Sequence, residues 1–216
     1  MNKNDLKLYA ITDRQWLRGA SLSEHVKLAI EGGATMIQIR DKDILSTDCS
    51  AGLKDEYSEA LEIKRICHEH KVPLIINDNV QFAIDIDADG VHLGQDDMNP
   101  AEARKLLGTD KIIGVTAKTV EQAKKAQADG ADYLGSGAVF GSTTKLNAKP
   151  MTKELLREIT AAVDIPVVAI GGINADNAAT LKGTGIAGIA VVGAIFASAD
   201  IKAAARKLAE ICDNML

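Results

Sequence analysis

Polar stretches with helical spacing alternate along the chain with short apolar runs of strand length. The segments "AIEGGATMIQIR", "AIDIDADGVHLG", "AQADGADYLGSG" and "LKGTGIAGIAVVG" each close a helical stretch with Gly or Asp-Gly and open a strand. Between them, "VPLIIND", "KIIGVTA" and "IPVVAIGG" enter strands through Pro or Lys after a polar helix. Counting "LYAIT", the pattern predicts eight strands, starting near residues 8, 36, 73, 90, 112, 133, 167 and 189. Their apolar residues run consecutively, the mark of a parallel sheet covered on both faces. Strict β/α alternation with eight units predicts a closed (β/α)8 TIM barrel, an α/β fold of one domain over residues 1–216. A doubly wound open sheet is the rival, but no GxGxxG follows the first strand. The spacing is uneven. Only a short helix around "QFAIDID" separates strands three and four, and the polar insertion "DILSTDCSAGLKDEYSEA" after strand two reads as a loop entering an amphipathic helix.

Composition narrows the partners. Aromatic residues make up only 3%, so the core is built from Ala, Val, Ile and Leu. A net charge of -5 argues against nucleic acid, which requires a Lys/Arg excess, and favours small substrates. The opening "MNKNDLKLYAITDR" lacks the apolar region of a signal peptide, and no run reaches the length of a membrane span. Cys49, Cys67 and Cys212 are odd in number, far apart and without a CxxC pair, which suits reduced thiols. A cytoplasmic protein without nucleic-acid or membrane partners is the expectation; a homo-oligomer is left open.

In a TIM barrel the loops after the strands build the active face, so polar residues at strand ends carry the functional reading. After strand two, Gln38, Arg40 and Lys42 alternate, and the two cations leave the barrel on one side. Strand three ends in Asn77 and Asp78, strand four in Gln95, Asp96 and Asp97. Asp78 and Asp97 follow neighbouring strands, so their carboxylates are expected to meet. Two carboxylates, an amide and nearby cations suit Mg²⁺ with a diphosphate, because Mg²⁺ takes few carboxylates and fills its shell with water and substrate oxygens. Helix capping is the alternative for either aspartate alone, notably Asp97 ahead of "NPAEARKLL".

Thr116 ends strand five with a hydroxyl, and "VFGSTTK" after strand six places Ser142, Thr143, Thr144 and Lys145 together, donors and charge without a carboxylate. Strand seven ends in "AIGGIN" and strand eight in "AVVGAIF", where Gly171, Gly172 and Gly193 let backbone N–H groups approach an oxyanion. The face is therefore predicted to hold two anion sites with Lys145 between them. None of His25, His68, His70 and His92 shows metal-ligand spacing; the first three are expected on the surface and His92 as a structural residue of the barrel.

The motifs "GGATMIQIRDKD", "PLIINDNVQFAIDIDADGVHLGQDDM", "VFGSTTK" and "AIGGI", in this order, resemble the thiamine phosphate synthase family over nearly the whole chain. That resemblance implies a transferase coupling 4-amino-2-methyl-5-hydroxymethylpyrimidine diphosphate to 4-methyl-5-(2-hydroxyethyl)thiazole phosphate, with Mg²⁺ present and diphosphate released. It implies Gln38 on the pyrimidine; Arg40, Lys42, Asn77, Thr116 and Lys145 on the diphosphate; and Asp78 and Asp97 on Mg²⁺. Ser142, Thr144 and the backbone of Gly172, Val192 and Gly193 would hold the thiazole phosphate. The chain departs from the family's usual pattern in "GSGAVF", where Gly-Pro is common before the aromatic residue, and at Gly193 and Thr116, where Ser is common. Two rivals are a thiazole phosphate tautomerase on a related barrel, which would not need the diphosphate-binding charges, and a catalytically silent phosphate-binding barrel.

Overall fold

Every predicted apolar run becomes a strand. The computed structural model describes residues 1–41, 54–141 and 151–216. In it β1 (Leu8–Ile11), β2 (Met36–Ile39), β3 (Leu74–Asn77), β4 (Gly90–Leu93), β5 (Ile112–Thr116), β6 (Tyr133–Gly137), β7 (Val167–Ile170) and β8 (Gly188–Val191) form a closed parallel barrel in sequence order. Closure is the pairing of β1 with both β2 and β8. The open-sheet rival is excluded.

Alternation along each strand divides the apolar residues into two cores. Tyr9, Met36, Ile75, Ile112, Tyr133, Val168 and Ala190 cluster inside the barrel. Their neighbours Leu8, Ala10, Ile37, Leu74, Ile113 and Leu134 face outward and pack under the helices. At about 1.5–3 kcal/mol for each fully buried aliphatic side chain, this outer layer is the main stabiliser of the shell.

The helices are α1 (Leu22–Glu31), α2 (Lys54–Glu69), α3 (Val80–Asp85), α4 (Pro100–Leu107), α5 (Val120–Ala128), α6 (Lys153–Ala161), α7 (Gly193–Phe196) and α8 (Ile201–Met215). Short polar side chains start six of them: Ser21 forms a capping box with Glu24, and Asn79, Asn99, Thr119, Thr152 and Asp200 each accept a first-turn N–H. The strict β/α alternation fails at one connection. Between β7 and β8 the chain makes only a 3₁₀ turn, Ala178–Leu181, because "LKGTGIAG" places Gly183 and Gly185 at positive φ directly after it.

His25, expected on the surface, is buried: it is 6% exposed on α1, with its ring stacked on Phe196 of α7. The neighbouring β8–α8 segment, distant in sequence, covers it. His68 and His70 are exposed as expected. Among the described residues no helix is long and apolar enough to cross a membrane.

Candidate active site

The floor of the site is a polar layer inside an otherwise apolar barrel. Gln38 of β2, 2% exposed, donates from Nε2 to Tyr9 Oη of β1 at 2.5 Å. Tyr9 Oη lies 2.8 Å from Tyr133 Oη of β6, and Tyr133 Oη lies 3.0 Å from His92 Nδ1 of β4. His92 Nε2 is in turn 3.0 Å from Thr116 Oγ1, at the end of β5. Buried hydroxyls left without partners would each cost about 1–3 kcal/mol, and here each is satisfied by the next. Burial holds the proton on both phenols, raising their pKa values.

Above this floor, Asp78 and Asp97 meet. They follow β3 and β4, which pair in register from Ile75–Gly90 to Asn77–His92. Asp78 sits at φ +61°, a left-handed conformation, with its N–H donating 2.9 Å to the His92 carbonyl. Its carboxyl pKa is pushed up to about 6 by partial desolvation, then by the hydrogen bond and charge of Asp97; the Asn77 amide and the Arg40 charge act in the opposite direction. Asn77 Nδ2 donates to Asp78 Oδ2 at 2.6 Å.

Neither carboxylate is occupied by helix capping. Asn79 caps α3 and Asn99 caps α4, so the alternative reading of both aspartates fails. Asp97 instead accepts from Gly94 N–H at 2.6 Å, which fixes its turn beside Asp78. Two hard oxygen donors pressed together at a strand end fit a small divalent cation such as Mg²⁺. Among the described residues no third carboxylate, His or Cys joins them, which leaves the remaining coordination positions to water or substrate oxygens.

Arg40 is held from the β1 side. Its N–H donates to Thr12 Oγ1 at 3.0 Å, and Thr12 N–H donates to the Gln38 carbonyl at 2.9 Å. Arg14 bonds Asp41, next to Arg40, and reaches Glu59 of α2 at 2.6 Å; Glu59 also accepts the Leu22 N–H at 3.0 Å. The loops after β1 and β2 are thereby tied to α1 and α2.

The ends of β7 and β8 supply backbone. Gly171 and Gly172 have φ of +100° and +66°, and a β-carbon on Gly172 would stand 2.7 Å from the Phe140 carbonyl oxygen. Asn177 Nδ2 steadies the turn by donating to the Gly172 carbonyl at 2.9 Å, and Phe140 N–H donates to Gly171 at 3.0 Å. Val192 precedes α7 without a side-chain cap, and the first-turn N–H groups of α7 at Gly193 and Ala194 have no acceptor within the helix.

Of the residues singled out in the sequence, the barrel brings Gln38, Arg40, Asn77, Asp78, Asp97, Thr116, Gly172, Val192 and Gly193 to the C-terminal ends of its strands. Lys42, Ser142, Thr144 and Lys145, with Thr143 and Cys49, lie outside the described residues. The sequence reading missed Tyr9, Tyr133 and the linking role of His92. The available signal was the pair of glycines in "IIGVT" and "YLGSG": Gly in the middle of a buried strand marks close approach by another group.

Residues 8–195 match the model of a family described as thiamine monophosphate synthase. The chain is 49% identical over 213 residues to the thiamine-phosphate synthase of Ruminiclostridium cellulolyticum, covering 99% of this chain and 98% of that protein. It is 47% identical over 208 residues to the thiamine-phosphate synthase of Clostridium tetani, covering 96% of each. The solved thiamine phosphate pyrophosphorylase of Pyrococcus furiosus superposes with a TM-score of 0.87 at 39% identity, covering 99% of this chain and 98% of that one. The chain belongs to the thiamine monophosphate synthase family.

Proposed function

We propose that this single-domain barrel, residues 1–216, is a cytoplasmic thiamine phosphate synthase acting on two small molecules, the pyrimidine diphosphate and the thiazole phosphate. The observation that carries the reading is the meeting of Asp78 and Asp97 within the field of Arg40. A tautomerase acting on thiazole phosphate alone has no need of that group, and the relatives of this chain are named as synthases.

The reaction is a dissociative substitution. The C–O bond between the pyrimidine methylene and the diphosphate breaks, and its electron pair leaves with diphosphate. The electron-rich aminopyrimidine stabilises the benzylic-type cation, and the thiazole nitrogen lone pair then closes the new C–N bond. No protein nucleophile is required, because the attacking nitrogen has no proton to lose.

Charge on the leaving group sets the barrier. Gln38 orients the pyrimidine; Arg40, Lys42, Asn77, Thr116 and Lys145 hold the diphosphate, and the charges and donors among them offset the negative charge that grows there. Asp78 and Asp97 would hold Mg²⁺, which when bound neutralises part of the diphosphate charge. Ser142, Thr144 and the N–H groups near Gly172, Val192 and Gly193 hold the thiazole phosphate, a backbone site without metal.

The test is formation of thiamine phosphate and release of diphosphate by the purified protein with Mg²⁺, and again after EDTA. Metal-dependent condensation is expected. Turnover of thiazole phosphate alone, unaffected by EDTA, would overturn the reading.

A further inference from the structure

The polar layer inside the barrel forms one unbroken hydrogen-bonded chain, Gln38–Tyr9–Tyr133–His92–Thr116, with steps of 2.5, 2.8, 3.0 and 3.0 Å. Its ends are the two residues assigned above to different parts of the pyrimidine substrate: the amide to the ring, the hydroxyl to the diphosphate. Tyr9 is 1% and Tyr133 0% exposed, and among the described residues the hydrogen-bond partners of each phenol are its neighbours in the chain. Each phenol keeps its proton and so has one to give, as does each neutral imidazole.

Taken along these four bonds, a row of such groups has two consistent directions. In one, the Gln38 amide donates to Tyr9, Tyr9 to Tyr133, and Tyr133 to His92 Nδ1. The imidazole proton then lies on Nε2 and is donated to Thr116 Oγ1, so the hydroxyl proton of Thr116 points away from the chain to an outside acceptor. The reverse direction places the imidazole proton on Nδ1 and turns the Thr116 proton back onto His92. It would offer an oxygen lone pair to an anionic leaving group, and the amide NH₂ to a pyrimidine that already carries an amino group. The first direction complements the substrate at both ends: amide oxygen to the amino-bearing ring, hydroxyl proton to the diphosphate.

We propose that this chain is a one-way hydrogen-bond relay that holds His92 as the neutral Nε2–H tautomer and fixes the Thr116 hydroxyl as a donor to the departing diphosphate. Tyr9, Tyr133 and His92 are then positioning residues that act through Gln38 and Thr116. The inference rests on the synthase reading. The backbone gives independent support, because a β-carbon on Gly114 would overlap the Tyr133 ring and one on Gly135 would stand 3.0 Å from His92 Cε1. Glycine weakens a buried strand, yet here it stands beside both central rings and leaves them room.

The experiment has two arms. Ring ¹⁵N spectra of the ligand-free wild-type protein read the tautomer directly, and a neutral His92 with its proton on Nε2 is expected. In steady-state assays of thiamine phosphate formation, Y133F and H92A should each lower kcat by about 10- to 100-fold with a smaller change in KM, since the donor bond strengthens as leaving-group charge develops. H92Q, which accepts through Oε1 and donates through Nε2, should recover most of the loss. H92A added to T116V should cost almost nothing further, an outcome that a purely structural role for His92 would not give. A proton on Nδ1, an imidazolium, or equal fold losses from H92A in the wild-type and T116V backgrounds would overturn the relay. Failure of the wild-type protein to form thiamine phosphate would instead overturn the synthase reading, while the tautomer would still decide the direction of the chain.

Discussion

Gly114 and Tyr133 face one another in register across β5 and β6, and the phenol ring fills the space that a β-carbon on Gly114 would need. The ring cannot retreat, because it is fully buried and bonded to both Tyr9 and His92. Gly114→Ala should therefore lower stability by about 1–3 kcal/mol, the usual cost of overpacking, seen as a fall in Tm or urea midpoint. Gly193→Ala is the control: among the described residues its β-carbon would meet only Ala197 Cβ, at 3.8 Å, so Tm should hardly move. Equal losses in the two variants would refute this account of Gly114.

The Asp78–Asp97 pair should be all-or-none for metal-dependent turnover. Asp78→Asn or Asp97→Asn is expected to reduce kcat/KM by about 10²-fold or more, comparable with loss of other charge-stabilising groups. The double variant should be little worse than either single one, because the two carboxylates act on one ion. Thiamine phosphate formation over a Mg²⁺ titration checks both points.

Gly172 and Gly193 should respond in opposite ways. Gly172→Ala forces a side chain onto φ +66° and against the Phe140 carbonyl, so KM for the thiazole phosphate should rise about 10-fold or more. Gly193→Ser has room for its side chain and adds a hydroxyl donor beside the same backbone site. It should lower that KM by about 2- to 10-fold, the net value of one hydrogen bond, with kcat retained. A KM unchanged in both variants would place the thiazole phosphate elsewhere.

His25 should make stability depend on pH near neutrality. Burial, with a smaller contribution from Arg18, lowers its pKa, while Glu24 acts the other way; its Nδ1 has no hydrogen-bond partner among the described residues. The unfolded chain then binds a proton that the folded chain does not, so stability is full above the ordinary histidine value of about 6.5 and falls as pH drops through it. The urea midpoint of the wild-type protein should drop between pH 7.5 and 5.5, and His25→Leu should reduce that drop. Parallel pH profiles for the two proteins would assign the effect to another group.

The eight strands and their order were legible because each depends on local spacing: consecutive apolar residues for a covered strand, and glycines closing the helical stretch before it. The rim residues Gln38, Arg40, Asn77, Asp78, Asp97 and Thr116 were legible for the same reason, since a strand's end fixes where they emerge. Other features depended on what folds against them. The burial of His25 is set by Phe196, about 170 residues later in the chain, and the helix missing between β7 and β8 is prevented by glycines that the alternating pattern cannot weigh. Capping separated the aspartates from the asparagines beside them only once Asn79 and Asn99 had taken the helix starts.

The sequence by itself thus determined the barrel and the set of groups at its mouth, because periodicity and strand ends are properties of neighbours along the chain. The tertiary structure decided which groups meet: Asp78 with Asp97 in the field of Arg40, and Tyr9, Tyr133 and His92 in one chain between Gln38 and Thr116. The physical reason is closure. Only when β1 pairs with β8 do side chains from strands far apart in sequence share one buried interior, where leaving a hydroxyl without a partner is costly.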